Sequence, residues 1–181
     1  MKALVQVDTQ KGFIDGSLAN PFAQEAMPIV EKVVKYAVDN AWFIYQTQDT
    51  HYRNYLETQE GKNLPIVHTQ YGTEDWEIDS RARVRENYPY IRKLLKNQFG
   101  YNNWQTINMN QYEEIVIIGF VSSICVISNA LILKALFPEV PLVFITDASA
   151  GLNEENHAAT IEVMKSCQIK CMTWKEYLKE D

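Results

Sequence analysis

Ile115–Ala130 reads IVIIGFVSSICVISNA, and its pattern decides how the rest of the chain must be arranged. The four β-prone apolar residues Ile115–Ile118 show no polar alternation, so that strand is buried on both faces, as in a sheet covered by helices on each side. Gly119 and the serines Ser122 and Ser123 then break the run, which points to a sharp turn handing over to a helix from about Ile124 to Leu136. Cys125 falls in the first turn of that helix. There the positive end of the helix dipole and unpaired backbone N–H groups favour a thiolate, and with it nucleophilic chemistry. The alternative is that Cys125 is a small buried apolar residue, the commoner fate of a free cysteine.

The flanking sequence repeats the same alternation of strand and helix. Ala3–Val7 is a short apolar strand ending at Asp8, followed by a loop, TQKGFIDGS. Between Gln24 and Asn40, apolar residues recur at Ala26, Ile29, Val30, Val33, Val34, Ala37 and Val38, the spacing of one buried helical stripe. Trp42–Thr47 is a second strand, with Asp49 and His51 just beyond it. Periodicity then stops from Tyr52 to Thr73, a long loop that carries His68. Thr73 with Glu74 and Asp75 has the form of a helix start. Tyr90–Leu95 is a third strand followed by Lys96, and Trp104–Gln111 is a short helix or turn. After the Ile115 strand and its helix come a strand at Leu142–Ile145 ending at Asp147, and a helix after Asn153 to about Cys167. A last strand near Ile169–Met172 and an amphipathic C-terminal turn complete the chain.

Strands alternating with helices pair in parallel through right-handed crossovers, giving an α/β helix–sheet–helix sandwich. In such sheets ligands bind beyond the carboxyl ends of the strands, near a switch in strand order. Asp8, Asp49, His51, Lys96 and Cys125 all follow predicted strands and therefore share one edge of the sheet. A lysine ammonium stabilises a neighbouring thiolate, and a carboxylate can take the thiol proton and return it to a leaving amine. Cys125, Lys96 and Asp8 supply those parts, and backbone N–H groups at the turn could bind a tetrahedral oxyanion. Acyl transfer from a small amide is the reaction class this implies.

Asp49 and His51 in D-x-H, with His68, offer one carboxylate and two imidazoles, a set suited to a divalent metal such as zinc, iron or manganese. Two readings compete here: D-x-H is common by chance, and a metal could itself activate water with Cys125 structural. His157, within the Asn153–Cys167 helix, reads as an ordinary solvated or capping histidine.

Composition narrows the class further. With 181 residues the chain suits one domain, residues 1–181. Its 22% charged and 46% hydrophobic residues are those of a globular protein, and no apolar run approaches a membrane span of roughly 20 residues. Met1–Val7 runs into Asp8 and Lys11 without a signal-peptide core, so a cytoplasmic location is expected. Cys125, Cys167 and Cys171 are odd in number and lack framework spacing, so reduced thiols are expected, with C-x₃-C read as packing rather than zinc binding. A formal charge of −6 argues against nucleic acid, and Arg81, Arg83 and Arg85 have acids nearby. A small-molecule partner is the default.

These residues carry a family resemblance. Asp8 in VDTQKGFID, Lys96 in LLKNQFG and Cys125 in GFVSSICVISNA resemble the Asp, Lys and Cys signature of the isochorismatase-like cysteine hydrolases. TQDTH with LPIVH is similar to the metal motif of the nicotinamidase branch. Lys93 rivals Lys96, but Phe99 and Gly100 fit the family spacing from Lys96. Tyr101, Ser128 and Asn129 depart from the pattern. The resemblance implies a six-stranded, mainly parallel, Rossmann-like sheet, a cis peptide between Val121 and Ser122, and an oxyanion hole from the N–H groups of Ser122 and Cys125. It also implies that Phe13 lines the substrate ring and that a metal held by Asp49, His51 and His68 binds a pyridine nitrogen. The implied activity is hydrolysis of nicotinamide to nicotinic acid and ammonia through a thioester, by a protein that forms homo-oligomers. The alternatives are an isochorismatase-family hydrolase for isochorismate or an N-carbamoyl or ureido compound, or a binding protein that keeps the fold without turnover.

Overall fold

The computed structural model describes residues 1–97, 99–101 and 103–180. Strands β1 (Ala3–Val7), β2 (Phe43–Asp49), β3 (Ile91–Lys96), β4 (Ile115–Phe120), β5 (Leu142–Ala150) and β6 (Lys170–Met172) form one sheet in the order β3-β2-β1-β4-β5-β6. Every pairing is parallel, because each connection crosses over with intervening chain. The helices are α1 (Lys11–Ile14), α2 (Pro21–Asp39), α3 (Gln59–Asn63), α4 (Ile127–Leu136), α5 (Glu154–Ser166) and α6 (Trp174–Glu180). None among the described residues is long and apolar enough to cross a membrane.

Alternate residues of the central strands serve two separate cores. Leu4, Ile44, Val116, Ile118, Val143 and Ile145 face the buried stripe of α2, Val30, Val33 and Val34. Val5, Ile115, Ile117, Leu142 and Phe144 face the other way, onto Ala130 and Leu133 of α4 and Met164 of α5. Burying each Val, Leu, Ile, Phe or Met contributes about 1.5–3 kcal/mol, which explains why the central strands are unbroken apolar runs. Asn20 sets the start of α2: its Oδ1 accepts from Phe22 N at 3.0 Å and its Nδ2 donates to Gly151 O at 2.9 Å, tying the helix to the end of β5.

The order places β1 beside β4, so the chain winds outward in opposite directions from that pair, and the crevice above it is the switch point at which such sheets bind ligands. Asp8 follows β1 and Cys125 lies five residues past the end of β4.

Several local readings change. The helix start at Thr73 yields only a three-residue 3₁₀ turn, Glu74–Trp76. Asp75 is instead a tie between loops, its Oδ1 accepting from Ser17 N at 2.8 Å and its Oδ2 from Thr69 N at 2.7 Å. The stretch from Tyr52 to Thr73 contains a 3₁₀ turn, Tyr55–Glu57, and α3, which Thr58 caps by accepting from Gly61 N at 3.0 Å. The helix expected from Ile124 opens as a π-turn, Ser122–Val126, and becomes α-helical at Ile127. The cis peptide lies between Phe120 and Val121, one bond earlier than the resemblance implied.

Gly119 is required where β4 meets this turn. Its φ of +119° is unfavourable for other residues, and a Cβ there would collide with the carbonyl oxygen of Val7 on β1. Gly119→Ala should therefore cost about 2–5 kcal/mol from backbone strain and overpacking; an equilibrium denaturation midpoint equal to that of the unsubstituted protein would contradict this.

Candidate active site

The left-handed backbone of Asp8, φ +45°, ends β1 and turns its side chain over the sheet edge. Its N–H donates to the Thr47 carbonyl at 3.2 Å, and Thr47 Oγ1 donates back to Asp8 Oδ1 at 2.6 Å. Lys96, the last residue of β3, pairs in register with Asp49 of β2. From there its ammonium reaches Asp8 Oδ2 at 2.8 Å, Asp49 Oδ1 at 3.5 Å and Cys125 Sγ at 3.5 Å. Lys93 lies on the opposite face of β3, exposed, in a groove with Arg83 and Arg85.

These groups are almost wholly shielded from water. Burial raises the Asp8 carboxyl above its ordinary value, with Lys96 opposing the rise. Burial disfavours the Lys96 charge, but Asp8, Cys125 and Asp49 outweigh it and hold the ammonium charged. Cys125 departs from expectation. Burial drives its thiol well above the usual range, and the nearby Lys96 only partly offsets that. Burial thus favours the thiol over the thiolate, and a carboxylate that takes its proton is needed at the moment of attack.

The turn carrying Cys125 is held by Asn129, a fully buried residue of α4. Its Nδ2 donates to Cys125 O at 2.8 Å, while its Oδ1 accepts from Trp104 Nε1 at 2.8 Å and Tyr101 N at 3.1 Å. Two of the departures from the family pattern, Tyr101 and Asn129, thus meet in one hydrogen bond. The N–H groups of Ile124 and Val126 are committed to the Val121 carbonyl, whereas those of Ser122 and Cys125 reach no backbone carbonyl outside the turn among the described residues.

Asp49, His51 and His68 converge so that one ligand atom from each lies within 4.8 Å of the others, all buried. Asp49 Oδ2 is 3.0 Å from His51 Nε2 and 3.5 Å from His68 Nε2. His68 Nδ1 faces the Ile66 carbonyl at 2.7 Å. A carbonyl only accepts, so Nδ1 carries a proton and Nε2 is the nitrogen turned to the cluster; burial opposes the ring's charge, but Asp49, the Ile66 carbonyl and Glu60 outweigh it and raise the His68 pKa. His51 Nε2 is buried without a well-formed hydrogen bond, as expected of a ring nitrogen shaped for an ion. The donor set therefore fits a divalent metal, and the group could hold one.

Glu60 of α3 also faces the cluster, 3.6 Å from His51 Nε2, and burial raises its carboxyl. The cap spacing from Thr58 to Gly61 signals the helix that places it. A cavity of about 80 Å³ lies between Cys125, Asp49, His68 and Glu60, walled by Phe13, Leu18, Leu64, Phe99, Val121 and Ile124. Phe13 stands edge-on to His68, ring centres 5.9 Å apart. All eight expected site residues except Ser122 thus meet in or beside this cavity or the Lys96 cluster. Ser122 sits in the turn directly behind it, and its hydroxyl is 2.9 Å from Nδ1 of His157, a partly exposed residue within α5.

A doubly wound sheet with a cysteine, an acid and a lysine at its switch point defines a class, and sequence comparison names it. A sequence model of the isochorismatase domain matches residues 2–176, so the chain belongs to the isochorismatase family. The fold is close to that of nicotinamidase/pyrazinamidase from Bacillus subtilis, with a TM-score of 0.84 at 18% identity over 94% of this chain and 98% of that one. Pyrazinamidase of Pyrococcus horikoshii, solved in complex with zinc, superposes with a TM-score of 0.81 at 23% identity over 96% and 99%. N-carbamoylsarcosine amidase from Thermoplasma acidophilum gives 0.79 at 23% over 95% of each chain. No curated protein matches the chain.

Two measurements follow. Alkylation of Cys125 by iodoacetamide should go on accelerating as pH rises past 9, the ordinary thiol value, since the raised pKa keeps the sulfur protonated to higher pH; a rate plateau reached by pH 7 would contradict it. Asn129→Ala, which strands the Trp104 and Tyr101 N–H groups, should lower stability by about 2–4 kcal/mol, read from denaturant unfolding; a loss below about 1 kcal/mol would show that the clamp is not needed.

Proposed function

We propose that this protein is a cysteine amidohydrolase that cleaves a small carboxamide, nicotinamide or a close analogue, through a thioester. The observation that carries the reading is the convergence of Cys125 Sγ, the Asp8 carboxylate and the Lys96 ammonium, Nζ being 3.5 Å from the sulfur and 2.8 Å from the acid, beside a small cavity with largely apolar walls.

The carboxamide lies with its ring against Phe13 and its carbonyl carbon facing Cys125. Asp8 takes the thiol proton as Sγ bonds to that carbon, and the N–H groups of Ser122 and Cys125 receive the developing oxyanion. Asp8 passes the proton to the departing nitrogen, so ammonia leaves and a thioester remains. Asp8 then takes a proton from water as its oxygen attacks the thioester, releasing the acid and restoring the thiol. Lys96 holds Asp8 in place and balances its charge, keeping a carboxylate tolerable in a buried site. Asp49, His51 and His68 would hold the metal, zinc being the best fit to the donor set, with Glu60 at hand as a further oxygen. Such an ion supplies an electrophilic anchor for a ring nitrogen. The apolar walls leave few polar partners for a larger or more highly charged substrate.

Ammonia release from nicotinamide and pyrazinamide by the purified protein tests the reading. Cys125→Ala should abolish it and Asp8→Asn should reduce kcat by about 10²–10⁴-fold, whereas Lys93→Ala should change it by less than about twofold. Elemental analysis should find about one divalent ion per chain, lost in Asp49→Ala. Activity that survives Cys125→Ala would sink the thioester route. Turnover of ureido or N-carbamoyl compounds, with no turnover of ring carboxamides, would move the protein to another substrate class.

A further inference from the structure

On the α2 side of the sheet, β2 and β3 are covered by loops and not by a helix. Two 3₁₀ turns, Glu74–Trp76 and Ser80–Ala82, and the segment leading to Tyr88 lie over them, and between these walls runs a groove of about 330 Å³. Among the described residues it shares no lining with the cavity beside Cys125. Its volume falls in the range of small-molecule sites, about 300–1,000 Å³.

The floor of the groove is polar where a sheet face is ordinarily apolar. Gln46 and Gln48 of β2 line it although they are only 1% and 3% exposed. Gln46 Nε2 lies 3.5 Å from the Ala82 carbonyl, the outer limit of a hydrogen bond, and Gln6 Nε2 already donates to that carbonyl at 2.9 Å. Gln48 Nε2 donates to the Trp76 carbonyl at 3.2 Å. Neither side-chain oxygen accepts a hydrogen bond among the described residues. Buried amide oxygens are nearly always paired, so two of them lining one groove call for donors brought from outside the chain.

The walls and rim supply positive charge. In a chain of net charge −6, the groove gathers Arg83, Arg85 and Lys93. Lys93 is level with Gln46 on the neighbouring strand, and its ammonium has no hydrogen bond or ion pair among the described residues. Arg85 lies over the Tyr88 ring, 6.0 Å from its centre. Arg83 reaches from one wall to the other, its Nη2 donating to the Ile78 carbonyl at 3.2 Å and lying 3.7 Å from Glu77 Oε2. Glu77 and Glu86 are the acids of the lining, so cations outnumber them, and only Arg83 is within ion-pair distance of either. Cations short of carboxylates beside amide oxygens short of donors complement one kind of molecule, with an oxyanion at one end and hydroxyl groups at the other.

We propose that the groove over β2 and β3 is a second small-molecule site, which takes a hydroxylated organic oxyanion about the size of a sugar phosphate. Lys93, Arg83 and Arg85 hold the phosphate or carboxylate, and Gln46 and Gln48 accept from the hydroxyls. The site is independent of the reaction at Cys125.

Isothermal titration of the purified full chain with ribose 5-phosphate, glucose 6-phosphate and gluconate, in about 50 mM salt, tests it, with inorganic phosphate and ribose as the two half-ligands. At least one of the three should bind once per chain, about tenfold or more tighter than either half. Preference for the phosphates supports the site with phosphate as its anion, and preference for gluconate supports it with carboxylate. Lys93→Ala should weaken binding about fivefold or more and flatten its salt dependence. Gln46→Met, similar in length but without the amide, should weaken the whole ligand about fivefold or more and inorganic phosphate by less than about twofold. Cys125→Ala should leave each affinity within about twofold.

No saturation by any of the three below about 10 mM, or binding unmoved by both Lys93→Ala and Gln46→Met, would overturn the proposal. So would affinity no better than that of inorganic phosphate, the mark of an adventitious ion only. If Gln46→Met does not fold, Lys93→Ala and Arg85→Ala, both at exposed positions, carry the comparison, and unmoved binding in both refutes the site. A protein that binds one of these ligands in the groove but is inert to every carboxamide would refute the amidase reading and leave this one standing.

Discussion

One buried ammonium organises the molecule. Lys96 Nζ lies 2.8 Å from Asp8, 3.5 Å from Asp49 and 3.5 Å from Cys125, so a single positive charge links the carboxyl ends of β1, β2 and β3 to the turn after β4. A lone charge shielded from water is costly, and removing one partner of a buried pair leaves the other uncompensated. The acids and the lysine are therefore mutually required. Because each is carried by a different strand, their requirement is also a requirement on strand order and register. The sheet must bring β1 between β2 and β4, and Asp49 level with Lys96, as it does.

The same charge divides the site into two halves with different chemistry. On the Asp8 side the ammonium offsets a carboxylate whose pKa burial would otherwise raise further, which suits proton exchange with a thiol. On the Asp49 side it adds to two imidazoles around a carboxylate, an arrangement suited to a metal ion. The cavity lies between them, with Cys125 on one side and Asp49 and His68 on the other. The loops that complete the walls are held by polar side chains spent on backbone groups: Asp75 joins the segment after Phe13 to that after His68, and Asn129 joins the Cys125 turn to the segment after Phe99. Loops without helices of their own are given fixed positions in this way.

Much of this was legible from residue order. The apolar runs at Ala3–Val7 and Ile115–Ile118 and the stripe from Ala26 to Val38 marked strands and a helix, because hydrophobic periodicity is a local property that burial imposes directly. Asp8, Lys96 and Cys125 stood out because chemically capable residues at the ends of apolar strands have little to do in a core. Glu60 and Asn129 were not recognised. Each is polar in a stretch with no strong pattern, and its importance comes from a partner distant in sequence: Asp49 and the two histidines for one, Trp104 for the other. Thr73–Asp75 misled for the related reason that an acid suited to a helix start is equally suited to capping a loop elsewhere, and only the contact partner distinguishes the two.

By itself, then, the order of amino acids determined the α/β class, the succession of strands and helices, and the edge of the sheet on which reactive groups gather, since these follow from periodicity and from the rule that ligands meet strand ends. Tertiary structure decided what depends on long-range proximity: that β1 and β4 are neighbours, that Lys96 and not Lys93 faces the acids, and that burial outweighs the Lys96 ammonium in setting the Cys125 thiol's pKa. The physical reason is that hydrophobic patterning acts over a few residues, whereas desolvation and charge pairing depend on which distant groups share one dry volume.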